Sequence, residues 1–339
     1  MMDAGTGTIR PVTSHLDAST IQLPGSNITQ GDNILSINYE GRVAVITGGG
    51  AGLGRSHALF LASRGARVVV NDLGGTVEGK GSSNAAADAV VKEITDAGGI
   101  AVPNYDSVAD EAGGKAIIQT ALDQFGKIDI LINNAGNNIE NSFRKMTMAE
   151  FRAVLDVHLM GSVHCTKAAW QHMIDQEYGR IIMTTSAAGL YGGHGLSNYA
   201  AAKIALVGLM NSLVLEGRKR GITVNAIAPM AMTRMSRDAM DDKTGPLLKP
   251  EFVTAVVGLL AAEQHTGSGD IISAGAGYYS KIGIVEGAGV YFGAGTPPSP
   301  DAISARFDEI CDLSQAKPHR DAFSSVAESM RNVLRGLRE

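Results

Sequence analysis

The sequence predicts an α/β fold built on one doubly wound parallel sheet of about seven strands. Short runs of β-branched, apolar residues recur along the chain and alternate with alanine-rich stretches of helical length. A glycine-rich turn follows the first of these runs. Alternation of this kind is typical of parallel sheets covered by helices on both faces, because their strands are buried on both sides.

Six of the expected strands follow Arg42 as distinct apolar runs. They are VAVIT (43–47), RVVVN (67–71), IAVPN (100–104), IDILIN (128–133), RIIMTT (180–185) and ITVNAIA (222–228). A further strand is expected near residues 270–273. Runs of four to eight residues suit buried strands better than helices, which need about ten residues or more.

One domain with an extension at each end accounts for the whole pattern. Residues 1–40 are polar with weak periodicity, so an N-terminal extension is predicted there. Residues 41–277 carry the alternating strands and helices of the main domain. Residues 278–300 are rich in glycine and proline and predict loop and turn, and helical spacing follows at 301–313 and 322–337.

The composition excludes several classes of function. The net charge is −5 without a long basic run, which argues against a nucleic-acid partner, because phosphate backbones require clustered lysine and arginine. Cys165 and Cys311 form no paired motif and HExxH is absent, so neither a disulfide scaffold nor a metal site is expected. No signal peptide, membrane span of about 18 apolar residues or peroxisomal tripeptide is recognised. A cytoplasmic protein without a membrane partner is predicted.

The glycine turn at residues 47–54 is a candidate dinucleotide site. Its spacing is Thr47-Gly48-x3-Gly52-x-Gly54 rather than GxGxxG, with Leu53 between the last two glycines. Glycines let the backbone approach a pyrophosphate while helix N–H groups point at it. Glycine turns after strands are also common without any ligand.

Asp72 favours the dinucleotide interpretation. It follows the second expected strand, where a carboxylate can accept hydrogen bonds from the adenosine ribose hydroxyls. A carboxylate at this point repels a 2′-phosphate, so NAD is predicted rather than NADP. The alternative is a turn aspartate before Leu73-Gly74-Gly75.

Tyr199 and Lys203 form a candidate acid–base pair. Their spacing of four residues places them on one face of a helix. Transfer of a hydride from a carbinol carbon requires a group that exchanges the hydroxyl proton. A tyrosine is a weak base at neutral pH, and a lysine ammonium nearby is expected to lower its pKa. An incidental pair on a helix surface is the alternative.

Four motifs in this order resemble the short-chain dehydrogenase/reductase family over about residues 40–277. They are TGGGAGLG (47–54), NNAG (133–136), Ser186 at a strand end, and Tyr199-x3-Lys203. The resemblance implies a Rossmann-type NAD-binding catalytic domain at 41–277. It also implies Tyr199 as acid/base, Lys203 as its electrostatic partner and a ribose contact, and Ser186 as the residue that orients the substrate oxygen.

The same resemblance implies further cofactor contacts. Asp106 and its neighbour Ser107 match the adenine region, and Pro229 matches the proline that follows the sixth strand. Thr233 lies one residue nearer that proline than the family's carboxamide-binding threonine. The segment beside the adenosine ribose is matched by Asn134, Ala135 and Gly136.

His158 departs from the family pattern. It occupies the position of the asparagine that organises a proton-relay water, and an imidazole can hold a water too. A purely structural, buried histidine is the alternative.

Several segments are similar to the (3R)-hydroxyacyl-CoA dehydrogenase part of peroxisomal multifunctional enzymes, a group that includes 17β-hydroxysteroid dehydrogenase activity. They include VVVNDLGG (68–75), VHLMGSV (157–163), IAPMA (227–231) and FDEICDLSQAKP (307–318). The resemblance implies an NAD-dependent oxidoreductase that interconverts a secondary alcohol and a ketone on a bulky apolar substrate.

The segment at 230–250 is expected to close over that substrate. Its four methionines, Met230, Met232, Met235 and Met240, suit an acyl chain, a steroid or a terpenoid, although they also suit simple packing. Its basic residues, Arg234, Arg237 and Lys243, suit either CoA phosphates or an exposed helix.

Three other functions compete with this prediction: a 3-oxoacyl carrier-protein reductase, a terpenoid alcohol dehydrogenase, and a non-catalytic NAD-sensing protein. The second strand's Asp72 opposes the first, because such reductases usually use NADP. The intact Tyr199 and Lys203 oppose the third. The family also pairs the helices at 148–176 and 197–219 across an interface, so a homodimer or homotetramer is expected.

Overall fold

An eight-stranded sheet forms the centre of the protein, in the strand order β3-β2-β1-β4-β5-β6-β7-β8. The computed structural model describes residues 36–232 and 245–337. The first seven strands run parallel to one another and the eighth is antiparallel to β7. The expected doubly wound parallel sheet is confirmed.

The strands lie close to the apolar runs in the sequence. Their bounds are β1 Val43–Thr47, β2 Arg67–Asn71, β3 Ile100–Asn104, β4 Ile130–Asn133, β5 Gly179–Thr184, β6 Ile222–Pro229, β7 Ile271–Gly275 and β8 Tyr278–Ile282. Consecutive residues of β1 alternate between two hydrophobic cores: Ala44 and Ile46 face one, Val43 and Val45 the other. Because other elements cover both faces of the sheet, residues 43–46 of β1 are all apolar.

Helices cover both faces of the sheet. Those on one face are α1 Gly52–Ser63, α2 Ala85–Asp96 and α8 Pro250–Ala261. Those on the other are α3 Glu111–Phe125, α5 Gly161–Asp175 and α7 Ser197–Gly217. Helix α4 (Met148–Leu155) runs into α5 through a π-helical turn at Asp156–Met160, and the short helix α6 spans Ala187–Tyr191.

Helix α7 is long and apolar, and part of it packs against the sheet. The stretch Ser197–Arg220 has the length and composition of a membrane span, with 39% of its most apolar window buried inside the protein. Its inward residues, among them Leu206, Val207 and Met210, pack in the second core beside the sheet. The residues of α7 that face the sheet are apolar because they are buried in this core.

The eighth strand corrects the prediction of loop and turn at 278–300. Strands β7 and β8 are joined by Ala276 and Gly277, which both have positive φ, at 49° and 78°. Positive φ at both central residues is the geometry of the tight turn that suits the twist of a hairpin. The alanine in the first turn position hides this signal in the sequence, because asparagine, aspartate or glycine is usual there.

The C-terminal segment is less regular than its spacing indicates. The expected helix at 301–313 is two short helices, α9 (Pro300–Ser304) and α10 (Phe307–Ile310), whereas α11 (Ala322–Gly336) confirms the helix expected at 322–337. A small antiparallel pair joins β9 (Val285–Glu286) to β10 (Lys317–Pro318).

Contacts divide the chain into residues 1–36 and residues 37–339. The second unit contains the sheet and all the helices above. Of the predicted N-terminal extension at 1–40, residues 1–35 lie outside the described part of the chain.

Candidate active site

The predicted site residues gather at the carboxyl ends of the parallel strands. The glycine turn follows β1, Asp72 follows β2, Asn134 follows β4 and Ser186 follows β5. The strand order reverses between β1 and β4, because the chain builds outward to β3 on one side and to β7 on the other. The crevice at such a reversal is where open α/β sheets bind ligands.

The glycine turn folds tightly on itself before α1. Gly48 and Gly52 have positive φ, at 63° and 53°. A Cβ on Gly54 would stand 2.1 Å from the carbonyl oxygen of Gly48, so only glycine fits there. Ala51 precedes the helix and has no polar side chain to cap its first N–H groups. Those N–H groups therefore suit a phosphate, which fits the pyrophosphate of a dinucleotide.

Asp72 is held in place by two backbone donors. Its Oδ2 accepts from the Gly50 N–H at 2.8 Å and its Oδ1 accepts from the Gly74 N–H at 2.7 Å. Each carboxylate oxygen keeps a second lone pair that can accept from a ribose hydroxyl. The carboxylate is thus fixed next to the glycine turn.

Asn134 binds the glycine turn with its side chain. Its amide Nδ2 donates to the carbonyl oxygens of Thr47 and Gly48, at 2.9 and 3.0 Å. In return, the Thr47 hydroxyl accepts from the backbone N–H groups of Asn134 and Ala135. The ends of β1 and β4 are therefore tied together, and Thr47 is a site-building residue that the sequence interpretation did not single out.

Asp106 and Ser107 lie beyond β3, two strands away from β1. The Asp106 side chain accepts from Asn104 Nδ2 at 2.7 Å, and the Ser107 hydroxyl accepts from the Ala109 N–H at 3.1 Å. Asn71 of β2 in turn donates to Asn104 at 2.8 Å. Exposed Asp106 stands at the same edge of the sheet as Asp72.

Ser186 and Tyr199 are neighbours, and the Ser186 hydroxyl is close enough to influence the pKa of the Tyr199 phenol. Ser186 precedes α6, and its hydroxyl also accepts from the Ala188 N–H at 3.2 Å, which fixes its rotamer. Burial raises the pKa of Tyr199 above its ordinary value, and the Ser186 hydroxyl lowers it in part. The two side chains therefore lie close to each other at the carboxyl edge of the sheet.

Lys203 lies behind Tyr199 and is almost fully buried, at 3% exposure. Its Nζ donates to the Thr184 carbonyl at 2.6 Å and lies 5.5 Å from the centre of the Tyr199 ring. A Cβ on Gly189 would stand 2.5 Å from the Lys203 Cβ, so a glycine is needed for this approach. Burial lowers the pKa of Lys203 to about 7.

The expected electrostatic effect of Lys203 on Tyr199 stays a prediction, and burial dominates the pKa of Tyr199 in this structure. The pKa of Tyr199 lies above its ordinary value because burial outweighs the other influences on the phenol. The same burial withdraws charge from the lysine. Taking a charged group out of water costs more here than the attraction between neighbours returns.

His158 is buried at 2% exposure in the π-helical turn, with its ring 5.1 Å from the Tyr199 ring in an edge-to-face arrangement. Its Nε2 lies 2.7 Å from the Asn137 carbonyl oxygen and 3.1 Å from the Asn137 backbone nitrogen. The shorter contact assigns the proton to Nε2, which donates to the carbonyl. Burial, together with the charge of Lys203, holds the pKa of His158 well below its usual range. The imidazole is neutral.

The other nitrogen of His158 has no partner among the described residues. Nδ1 is buried and makes no hydrogen bond there. A Cβ on Gly136 would stand 2.4 Å from His158 Cε1, so this glycine makes room for the ring. His158 therefore binds the backbone of the segment after β4 through Nε2. Its Nδ1 can accept a further hydrogen bond.

The segment that follows β6 is described only in part. Pro229 pairs with Ala274 of β7, and the carbonyl of Met230 would lie 2.2 Å from a Cβ on Gly275. Thr233 lies outside the described residues. So do two of the four methionines expected to line the substrate, Met235 and Met240, and the three basic residues considered for CoA phosphates, Arg234, Arg237 and Lys243.

Two further buried polar residues build the site without a signal in the sequence. Asn198 donates to the Ile139 carbonyl at 3.0 Å and accepts from the Tyr199 N–H at 2.7 Å, which anchors the start of α7. Asn137 directly follows the NNAG motif but is not among the site residues predicted from the sequence. Within residues 36–232 and 245–337, no three His, Cys, Asp or Glu side chains cluster in a way that could hold a metal ion.

Comparisons with known proteins agree with this geometry. The profile of the short chain dehydrogenase family matches residues 42–244. A short-chain type dehydrogenase/reductase of Mycobacterium tuberculosis is 48% identical over 276 residues, which cover 81% of this chain and 96% of that protein. Reductases of 3-oxoacyl carrier protein match over a shorter part of the chain.

Peroxisomal multifunctional enzyme type 2 of Drosophila melanogaster is 43% identical over 305 residues, which cover 89% of this chain and 50% of the enzyme. Its full-length structure superposes with a TM-score of 0.75 at 38% identity, over 89% of this chain and 51% of that one. This chain thus spans about half the length of that enzyme.

A 7α-hydroxysteroid dehydrogenase solved with NADH and a bile-acid derivative has a TM-score of 0.64 at 28% identity, over 71% of this chain and 95% of that one. Together with the family match, this neighbour indicates a nicotinamide dinucleotide as the cofactor. The chain belongs to the short-chain dehydrogenase family and is an oxidoreductase that is similar to a peroxisomal multifunctional enzyme over most of its length.

Proposed function

We propose that this protein is an NAD-dependent dehydrogenase that interconverts a (3R)-hydroxyacyl-CoA and its 3-oxoacyl-CoA. The observation that carries the proposal is that Ser186 neighbours Tyr199 while the Thr184 carbonyl fixes Lys203 behind it, at the carboxyl edge of the sheet. The similarity to peroxisomal multifunctional enzymes along most of the chain supports the acyl-CoA class.

In the oxidation direction, the phenolate form of Tyr199 takes the proton of the substrate hydroxyl while the carbinol C–H bond breaks and the C=O bond forms. NAD supplies the acceptor for the hydride when bound. Ser186 donates to the substrate oxygen and steadies the charge that develops on it. Reduction of the ketone runs through the same groups with the proton passing from Tyr199 to the substrate oxygen.

Lys203 is suited to move charge and protons behind Tyr199. With a pKa of about 7, its amine can give up or accept a proton at neutral pH. The Thr184 carbonyl fixes the position of its Nζ. His158 is proposed to orient the segment after β4 and to offer Nδ1 to a relay water.

The nucleotide contacts are assigned to residues at and near the carboxyl ends of the parallel strands. We assign the pyrophosphate to the glycine turn with Gly48, Gly52, Leu53 and Gly54, and the adenosine ribose to Asp72. The segment beside the adenosine ribose is assigned to Asn134, Ala135 and Gly136. We assign the adenine to Asp106 and Ser107, and the nicotinamide end to Pro229 and Thr233. The fixed carboxylate of Asp72 supports NAD over NADP, because it would repel a 2′-phosphate.

Replacement of Tyr199 by phenylalanine tests the chemistry. Tyr199→Phe should lower kcat by about 10²-fold or more with (3R)-hydroxybutyryl-CoA and NAD, because general acid–base catalysis contributes about that much. NAD affinity should stay within about threefold. Tyr191→Phe, which alters a tyrosine 75% exposed on α6, is the matched control. Full turnover by Tyr199→Phe would contradict the mechanism.

A hydroxysteroid dehydrogenase is the second candidate, since a bile-acid enzyme shares the fold over 71% of this chain. A panel of (3R)- and (3S)-hydroxyacyl-CoAs, hydroxysteroids, terpenoid alcohols and 3-oxoacyl carrier proteins separates the candidates. A kcat/KM for a hydroxysteroid above that for every hydroxyacyl-CoA would favour the second.

We further propose a homo-oligomer built through the helices at 148–176 and 197–219. Exposed apolar side chains on these helices, including Met160, Ile204 and Leu215, support the assignment. The dimer or tetramer state, the domain limits at 41–277 and 278–339 and a cytoplasmic location remain predictions from the sequence. The names of several relatives place those proteins in peroxisomes.

A further inference from the structure

The loop between β2 and α2, residues 73–84, reaches from the nucleotide side of the crevice to the catalytic side. At its start, the Gly74 N–H donates to Asp72 Oδ1. The loop closes on itself through a hydrogen bond from the Ser83 N–H to the Leu73 carbonyl at 2.9 Å. A Cβ on Gly74 would stand 1.9 Å from the Ser83 oxygen, so the two arms of the loop are in close contact.

The tip of this loop is a tight turn. The Thr76 N–H donates to the Lys80 carbonyl and the Gly79 N–H donates to the Thr76 carbonyl, both at 2.9 Å. The Thr76 hydroxyl also accepts from the Lys80 N–H at 3.3 Å. The tip therefore has a defined shape of its own.

Two contacts join the tip to the segment after β4. The Asn138 N–H donates to the Val77 carbonyl at 2.9 Å. A Cβ on Gly79 would stand 3.0 Å from Asn137 Nδ2 and 3.4 Å from Asn137 Cβ. The tip thus lies directly against the side chain of a residue that is only 4% exposed.

Asn137 is the residue that holds His158. Its backbone carbonyl and N–H both face Nε2 of the imidazole, at 2.7 and 3.1 Å. Its side chain donates to the Ala153 carbonyl of α4 at 3.3 Å, and its Oδ1 is buried with no partner among the described residues. A displaced Asn137 therefore displaces His158, whose ring packs edge-to-face on Tyr199.

We propose that Asn137 is a positioning residue for Tyr199, and that the loop at 73–84 couples it to the nucleotide-binding carboxylate of Asp72. The path runs from Asp72 through Gly74 and the loop tip to Asn137, then through His158 to the Tyr199 ring. The catalytic assignment of Tyr199 rests on the proposed function above. An error of about 1 Å in the placement of an acid–base group is enough to reduce turnover by about 10²-fold.

Two glycines of the loop give a matched pair of variants. Gly79 and Gly81 both have positive φ, at 81° and 75°, so alanine imposes similar backbone strain at either position. The methyl group of Gly79→Ala presses on Asn137, whereas that of Gly81→Ala meets no atom within 4 Å. Any difference between the two variants therefore reports on the contact with Asn137.

Steady-state kinetics with (3R)-hydroxybutyryl-CoA and NAD provide the first measurement. Gly79→Ala should lower kcat by about tenfold or more and change the KM for NAD by less than about threefold, because the displacement reaches Tyr199. Gly81→Ala should stay within about twofold of the wild type in both quantities. Equal effects of the two variants, or an effect of Gly79→Ala on the KM for NAD alone, would overturn the proposal.

A double substitution tests whether the effect passes through the Asn137 side chain. Asn137→Ala removes Nδ2 and Cγ, and leaves the new methyl group only an ordinary contact with the Asn137 Cβ at 3.4 Å. In that background, Gly79→Ala should lower kcat by less than about twofold further, because contacting residues show coupling in a double-mutant cycle. Additive losses would place the effect elsewhere and contradict the path.

A spectroscopic measurement separates this proposal from the proposed function. The imidazole ¹⁵N resonances of His158, assigned with His158→Asn, should shift in Gly79→Ala and not in Gly81→Ala. Should the wild type turn over no hydroxyacyl-CoA, the proposed function fails, while these resonances still decide whether the loop controls His158. An unshifted signal in Gly79→Ala overturns the coupling.

Discussion

Lys203 Nζ donates to the carbonyl oxygen of Thr184 at 2.6 Å, inside a site that leaves only 3% of the lysine exposed. This hydrogen bond fixes the amine behind Tyr199 but does not replace the water that the charged form loses. The pKa of Lys203 falls to about 7 as a result. The site thus keeps a lysine that changes its charge near neutral pH.

The buried lysine should make stability depend on pH in the alkaline range. The folded protein releases the Lys203 proton near pH 7, whereas the unfolded chain keeps it up to its ordinary pKa. The free energy of unfolding therefore rises with pH between about 7 and 10.4, by at most roughly 1.4 kcal/mol per pH unit from this residue. Urea denaturation of wild type and Lys203→Met at several pH values isolates this contribution as a difference. Parallel pH dependences for the two proteins would contradict it.

A second buried group should act in the acid range. His57 lies at 0% exposure in α1, with Nδ1 2.8 Å from the Thr254 hydroxyl, and burial lowers its pKa to about 3. The unfolded chain takes up the proton below about pH 6.5, while the folded protein refuses it until about pH 3. Stability is therefore lost as pH falls through this window. His57→Gln should flatten the loss in urea melts, and His172→Gln, at an exposed position on α5, should not.

Asp72 should decide between the two nicotinamide dinucleotides. Asp72→Asn removes the charge that repels a 2′-phosphate while one backbone donor keeps its acceptor. The ratio of kcat/KM for NADP to that for NAD should rise by about tenfold or more, since one charge contact near the surface contributes on the order of 1–4 kcal/mol. Asp106→Asn, which alters a carboxylate at the same sheet edge, should move this ratio far less. A wild-type preference for NADP would sink the assignment outright.

The outer face of α7 should carry the subunit interface. Ile204 is 40% exposed there, and Gly208 has open space beside its Cα. Ile204→Arg should shift the protein to a smaller species in light scattering at micromolar concentration, because a buried unpaired charge opposes association. Ile100→Arg, which alters an exposed apolar residue at the start of β3, should leave the mass unchanged. A monomeric wild type would refute the proposed interface.

Local patterns were enough to predict much of the fold. Residues 43–46 of strand β1 are all apolar because helices cover both faces of the sheet, and this burial is visible in the run VAVIT. Helix α7 was predicted with the tyrosine and lysine on one face, because its spacing follows the helical repeat. Strand β8 was missed, since its hairpin turn depends on backbone angles at Ala276 and Gly277 that an alanine seldom adopts.

The chemistry of the site followed the sequence less closely. The sequence by itself determined which residue types stand at the strand ends, namely the glycine turn, Asp72 and Ser186, and which stand one turn apart on α7, Tyr199 and Lys203. Only the tertiary structure decided their charge states, because burial depends on every element packed around a side chain. Burial raises the pKa of Tyr199 and lowers the pKa of Lys203, and the spacing of the two residues does not reveal how deeply either is buried.

Tertiary structure also decided what His158 touches. The sequence placed a histidine where the family has an asparagine, and either a water contact or a structural role was open. Folding brings its Nε2 to the backbone of Asn137, 21 residues away in the chain, and brings the loop at 73–84 against the same residue. Local spacing determines the face of a helix, whereas contacts between distant segments arise only when the sheet brings their strand ends together.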